Sequence, residues 1–112
     1  MIVKSVAVDS SRIIYCTGYQ DGRIEKIFLK KNQQLVFVCE ECEGMWLSLG
    51  DVFDDSKGEN FMSYLEERGF IREGKKIVWT DLLEEQGFVT LKDVQEYIDK
   101  YEIEIVKLEN NS

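Results

Sequence analysis

Apolar and polar positions follow a strand pattern over the first 40 residues. Segments 2–8 (IVKSVAV) and 12–19 (RIIYCTGY) are rich in β-branched and aromatic side chains, which favour strands. In segment 34–39 (QLVFVC) the apolar run covers both faces, which indicates a central strand. Asp21-Gly22 separates two such runs, as in a two-residue type I′ hairpin turn. The pattern predicts an antiparallel sheet that starts with an N-terminal meander of hairpins.

The predicted turn also sets a register between the two strands that it connects. Pairing of Gln20 with Arg23 would place Cys16 opposite Ile27, because positions on the two strands of a hairpin pair in opposite order. On this register Cys16 lies on an apolar ladder.

Helical spacing begins after residue 50. Ser56 and Glu59 predict a capping box, and Gly69 stands where a left-handed residue would close the helix. Thr90 and Asp93 predict a second capping box. The residues after this second box are apolar on one helical face, at Leu91, Val94, Ile98 and Tyr101. The pattern therefore predicts two helices in the C-terminal half.

Two segments, LEERGFI (65–71) and LEEQGFV (83–89), have nearly the same sequence, and we interpret both as helix ends closed by one stop signal. Between them, KKIVW (75–79) predicts a short strand and Thr80 predicts the N-cap of a brief helix, whereas 102–108 predicts a final strand. The chain is predicted to be one α+β domain over residues 1–112. We expect an antiparallel sheet of about four to six strands, with two to three helices from the C-terminal half packed on it.

The net charge of the chain is −8, and the negative charge is concentrated in its second part. Residues 1–38 carry six Lys/Arg against three Asp/Glu, whereas residues 39–112 carry eight against nineteen. Such a surface repels nucleic-acid phosphates and anionic lipids and attracts basic proteins. No stretch has the form of a signal peptide or of a membrane span. We expect a cytoplasmic protein that binds a basic protein, and neither nucleic acid nor a membrane.

The composition disfavours catalysis. Histidine is absent, and no Gly-rich phosphate loop, nucleophile elbow or HExxH motif occurs. The three cysteines predict thiols rather than a disulfide framework, because their number is odd. The glutamates beside Cys39 and Cys42 disfavour the reactive thiolate that a redox enzyme needs. We therefore expect that the chain is not an enzyme.

One segment, CEECEGMWL (39–47), has a specific spacing. It resembles the second half of a TFIIB-type zinc ribbon at Cys39, Cys42, Gly44, Trp46 and Leu47. It departs from that family because Glu40 replaces a proline and because Cys16 alone stands for the upstream cysteine pair. The resemblance implies zinc on Cys16, Cys39 and Cys42, with Glu41, Asp51, water or another chain as the fourth ligand of a tetrahedral site.

A second interpretation of this segment requires no metal. Cys39 would end a buried strand, Gly44 would permit a tight turn, and Trp46 and Leu47 would pack over the sheet. On this interpretation the protein has no cofactor, and zinc is the alternative.

The small size, the acidity, the many Lys, Asn, Ile and Glu residues and the CEEC corner resemble the immunity proteins of bacterial polymorphic toxin systems, including contact-dependent growth inhibition. The resemblance implies a cytoplasmic inhibitor that covers the active site of a cognate basic toxin, such as a nuclease. We expect the carboxylates to meet the toxin's cations and the aromatic side chains to anchor it. The candidate partner-binding residues are Trp46, Asp51, Phe53, Asp54, Asp55, Glu59, Tyr64, Glu66, Glu67, Glu84 and Glu85. The alternatives are a zinc-containing structural or regulatory module and an acidic adaptor or dimerisation domain, and the oligomeric state stays open.

Overall fold

The computed structural model describes residues 1–17 and 22–108. Its strands are β1 (Ser5–Val8), β2 (Ile24–Leu29), β3 (Gln34–Cys39), β4 (Gly44–Trp46), β5 (Glu59–Asn60), β6 (Leu83–Phe88) and β7 (Glu104–Lys107). Its helices are α1 (Phe61–Glu67), α2 (Trp79–Leu82) and α3 (Leu91–Lys100), and a 3-10 helix covers Gly50–Phe53. None of the helices in these two ranges is long and apolar enough to cross a membrane.

The main sheet is antiparallel and has five strands in the order β5-β4-β3-β2-β6. The predicted α+β fold is confirmed, and β3 covers the predicted segment 34–39 as an inner strand. β1 does not belong to this sheet but pairs with β7 in a parallel, two-stranded sheet. A distant segment of the chain therefore covers one side of β1, and Val8 also forms an antiparallel bridge with Ile14 of the segment that follows β1.

Side chains from the two faces of the main sheet belong to two separate apolar cores. Alternation along β3 sends Val36 and Val38 to a core that includes Tyr64 and Leu65 of α1. Phe37 and Cys39 lie on the opposite face, in a core that includes side chains of β1 and α3. The sheet is therefore covered on both sides, which explains why β3 is apolar at consecutive positions.

Helix α1 ends as the sequence predicts but begins elsewhere. Gly69 has φ +72°, and the Phe70 N–H donates to the Leu65 carbonyl at 2.9 Å, as in a Schellman motif. The predicted capping box of Ser56 and Glu59 is wrong, because the Asn60 side chain is the N-cap and accepts from the N–H of residue 63 at 2.9 Å. The capping box of Thr90 and Asp93 at α3 is confirmed.

The second segment of the near-repeat does not end a helix. LEEQGFV (83–89) contributes the edge strand β6, which pairs with β2, and Gly87 has φ +93° next to a register shift in that pairing. The predicted strand at 75–79 is absent, since the part of that segment before α2 forms no strand. The predicted helix N-cap at Thr80 is also wrong, because Thr80 lies inside α2 and the N-cap is Val78.

The register predicted for the first hairpin is wrong. Tyr15 pairs with Arg23, and the Cys16 N–H donates to the Gly22 carbonyl at 2.7 Å, so Ile27 faces β3 and β6 instead of Cys16. The predicted pairing of Gln20 lies outside the described residues. The connection between Tyr15 and Arg23 is longer than a two-residue turn, so Cys16 does not lie opposite Ile27.

Candidate functional site

The three aromatic residues predicted as partner anchors lie in the core. Trp46, Phe53 and Tyr64 are 6, 0 and 2% exposed, respectively. The Tyr64 hydroxyl donates to the Gln34 side chain at 2.9 Å, which satisfies its polar group inside the fold. These side chains pack within the protein and offer no surface to a partner, so the prediction that they are interface anchors is wrong.

The predicted acidic residues, apart from Asp51, separate into two groups. The Asp54 and Asp55 carboxylates both form ion pairs with the Met1 ammonium group, and the N–O distances are 2.9 and 3.2 Å. The Ser56 hydroxyl and this ammonium group hold the pKa of Asp54 well below its usual range. Asp51, which is half-buried, lies in the 3-10 helix. The second group is exposed and forms no ion pair in the described ranges: Glu59, Glu66, Glu67, Glu84 and Glu85.

Glu84 and Glu85 differ from the others because they lie on the open edge of the main sheet, on β6. With Trp79 and Leu83 they line a surface cavity of about 440 Å³. Trp79 is 41% exposed and Val78 is 48% exposed. Val78, Trp79, Leu83, Glu84 and Glu85 are called the β6 surface below. It combines exposed apolar side chains with two carboxylates.

The charges at the β6 surface are only partly compensated by the protein. The Lys30 ammonium group, which also lines the cavity, donates to the Thr80 carbonyl at 2.7 Å. Glu84 accepts a hydrogen bond from Gln86 at 2.7 Å. Burial raises the pKa of Glu25 on the neighbouring strand, and the negative charge of Glu85 raises it further. A cation brought by a partner would relieve this repulsion.

Trp79 was not among the predicted partner-binding residues. The predicted strand over 75–79 would have left this tryptophan half covered by the sheet. Instead Trp79 begins α2, which spans Trp79–Leu82 and leaves the indole at the surface. The Thr80-Asp81 pair was the signal in the sequence for a helix start at this point, but α2 begins one residue earlier, at Trp79.

The three cysteines form a second candidate site. Although Cys16 is distant from the other two in sequence, the three Sγ atoms all lie within 4.8 Å of one another. The Sγ atoms of Cys16 and Cys42 are 3.7 Å apart, compared with about 2.05 Å in a disulfide bond. Cys16 and Cys39 are buried and Cys42 is exposed. The structure thus brings together the three residues for which the sequence suggested zinc.

Backbone groups surround the Cys39 sulfur. Burial raises the pKa of the Cys39 thiol, and the N–H groups of Cys42 and Glu41 oppose this because they donate to the sulfur, the first at 3.4 Å. Gly22 lies so close that a Cβ there would overlap the Cys39 Sγ. A Cβ at Gly44 would lie 3.3 Å from the Cys42 Sγ. The cluster is therefore closely enclosed by main chain.

The donor set of the cluster is three sulfurs. Neither Glu41 nor Asp51 joins it among the described residues, so no carboxylate of these ranges is the fourth ligand that the sequence suggested. Soft thiolate ligands suit zinc and copper(I).

No protein-family model, no curated protein and no solved structure matches the chain.

Proposed function

We propose that this chain is a binding protein that recognises a basic protein partner through the β6 surface. The specific role that we propose is that of an immunity protein, which neutralises a cognate basic toxin, such as a nuclease, by covering its active site. The observation that carries the proposal is the exposed Trp79 beside two carboxylates, Glu84 and Glu85, on an open sheet edge.

The apolar part of the β6 surface supports binding to a protein. Trp79 and Val78 are among the few large apolar side chains that are exposed in the described residues. Tryptophan is enriched among the residues that dominate binding energy, because a flat aromatic side chain buries a large area at low entropic cost. The cavity beside Trp79 offers space for a side chain of a partner. Trp79 thus takes the anchoring role that was first assigned to Trp46, Phe53 and Tyr64.

The charge of the β6 surface supports a basic partner. Glu84 and Glu85 are exposed and form no ion pair in the described residues. A nuclease keeps its substrate channel positive so that it can bind phosphates, and carboxylates of an inhibitor can occupy that channel in their place. Complementary charge also accelerates association and excludes wrong partners.

Affinity capture from the native host, followed by an inhibition assay, tests this function. We expect a basic protein to co-purify in stoichiometric amount and to lose its toxic activity when the chain is added. Trp79→Ala should abolish most of the capture, whereas Leu47→Ala, at a residue with similar exposure (38%), should not. Capture unaffected by Trp79→Ala, or a captured protein whose activity the chain does not inhibit, would contradict the proposal.

Light scattering distinguishes the third hypothesis, an acidic dimerisation domain. The proposed function predicts that the isolated chain stays monomeric at concentrations at which it binds its partner. A stable dimer that Trp79→Ala dissociates would show that the β6 surface binds a second copy instead.

A further inference from the structure

The three-cysteine cluster is independent of the β6 surface and has chemistry of its own. From the convergence of its sulfur atoms we propose that Cys16, Cys39 and Cys42 bind one zinc ion as thiolates. One coordination position remains for water or for another donor from outside the described residues.

The spacing of the sulfur atoms fits a common metal ion. Zinc–sulfur bonds of about 2.3 Å in a tetrahedral site place the sulfurs about 3.8 Å apart. The Cys16 and Cys42 sulfurs are 3.7 Å apart, and no pair in the cluster exceeds 4.8 Å. Small side-chain movements are enough to bring all three onto one ion.

The main chain holds the two segments that carry the thiols against each other. The Cys16 N–H donates to the Gly22 carbonyl at 2.7 Å, and the Glu40 N–H donates to the Arg23 carbonyl at 3.1 Å. The Arg23 side chain pairs with the Glu40 carboxylate at 2.7 Å. This pair joins the segment after Cys16 to the turn that carries Cys39 and Cys42, and it neutralises one of the glutamates beside the thiols.

The surroundings of Cys39 suit a thiolate ligand in two further respects. Two backbone N–H groups, those of Glu41 and Cys42, point at its sulfur and stabilise negative charge there. Gly22 lacks a Cβ where one would overlap this sulfur, so a glycine at residue 22 lets the main chain approach the cluster closely.

The exposure of Cys42 indicates where an outside ligand would approach. Cys16 and Cys39 are buried, whereas Cys42 is exposed, so the ion would lie near the surface. With three protein ligands, the remaining position resembles the open position of zinc sites that bind water. Copper(I) also accepts thiolates, so metal analysis must identify the ion.

The test measures metal in protein purified under reducing conditions from cells supplied with zinc. We expect about one zinc ion per chain, and cobalt(II) added to the stripped protein should give the visible absorption of a tetrahedral thiolate site. Cys42→Ser should retain native circular dichroism, because residue 42 is exposed, and should lose the metal. Glu43→Gln is the matched control and should keep it, because Glu43 is exposed beside Cys42 but is not part of the cluster.

A measurement on the wild-type protein avoids the risk that a cysteine variant fails to fold. Zinc added to the stripped protein should slow the reaction of Cys42 with a thiol reagent, and a chelator should restore the rate. The proposal is overturned if reduced, folded wild-type protein binds neither zinc nor cobalt(II), if copper occupies the site instead, or if Cys42→Ser binds zinc as well as the wild type does.

Discussion

Gly22→Ala tests the close approach of the main chain to the Cys39 sulfur. At a position whose backbone conformation alanine can adopt, replacement of glycine by alanine stabilises a fold by about 0.4–1 kcal/mol, because alanine reduces the freedom of the unfolded chain. The new Cβ, however, would overlap the Cys39 Sγ and lie 3.1 Å from the Glu41 Cβ.

The clash decides the sign of the effect. Cys39 is 1% exposed and ends an inner strand, so it cannot move aside freely. Overpacking of this kind costs about 1–3 kcal/mol, and we therefore expect Gly22→Ala to lower the free energy of unfolding by about 0.5–2 kcal/mol after the entropic gain. Urea unfolding with a chelator and a reductant present measures this effect without any contribution from metal.

A double-mutant cycle with Cys39→Ala isolates the contact. Once the sulfur is absent, Gly22→Ala should be neutral or stabilising, so the coupling free energy should be about 1–3 kcal/mol. A Gly22→Ala protein that is as stable as the wild type while Cys39 is present would refute the enclosed cluster. An equal loss of stability with and without Cys39 would do the same.

Two further substitutions test the electrostatics and the helix end. Glu25→Gln should raise the free energy of unfolding at pH 7, because burial and Glu85 raise the pKa of Glu25 and so disfavour its charged form in the folded state. The gain in stability of Glu25→Gln over the wild type should shrink as the pH falls through the raised pKa of Glu25, and it should vanish below the ordinary pKa of 4.5. A gain that persists below pH 4.5 would contradict this explanation. Gly69→Ala should cost about 1–2 kcal/mol in urea unfolding, because residue 69 has φ +72° and a Cβ there would contact nothing within 4 Å; unchanged stability would contradict the left-handed helix end.

The near-repeat shows what local sequence can and cannot predict. In 65–71 the stop signal works as expected, because the Phe70 N–H reaches the Leu65 carbonyl after Gly69. In 83–89 nearly the same letters form an edge strand, because β2 supplies partners such as Leu29 for Leu83. Pairing with a distant strand overrides the local preference of the segment. The predictable elements were those whose signals are local, such as the cap of α3 and the apolar run of β3.

The candidate sites were predicted in part for the same reason. The CxxC spacing identified Cys39 and Cys42, but the assumed two-residue turn placed Cys16 on the wrong ladder. A register depends on the length of a turn, which a single Asp-Gly pair did not determine here. Glu84 and Glu85 were predicted from charge, whereas the exposure of Trp79 depends on how α2 lies at the sheet edge.

The dependence of the association rate on salt tests the β6 surface most directly. The measurement is stopped-flow mixing of the captured partner with the wild-type chain, with Glu84→Gln/Glu85→Gln and with Glu66→Gln/Glu67→Gln. Both variants remove the charges of two adjacent, exposed glutamates that follow a leucine, but the second pair lies on α1. At physiological salt the screening length is about 8 Å, so charges remote from the interface contribute little.

We expect the wild-type association rate to fall steeply with ionic strength. Glu84→Gln/Glu85→Gln should lower the rate by about tenfold and flatten its salt dependence, because it removes the charges that steer the partner. Glu66→Gln/Glu67→Gln should associate as the wild type does. Equal effects of the two variants, or a rate that does not respond to salt, would contradict recognition of a basic partner at the β6 surface.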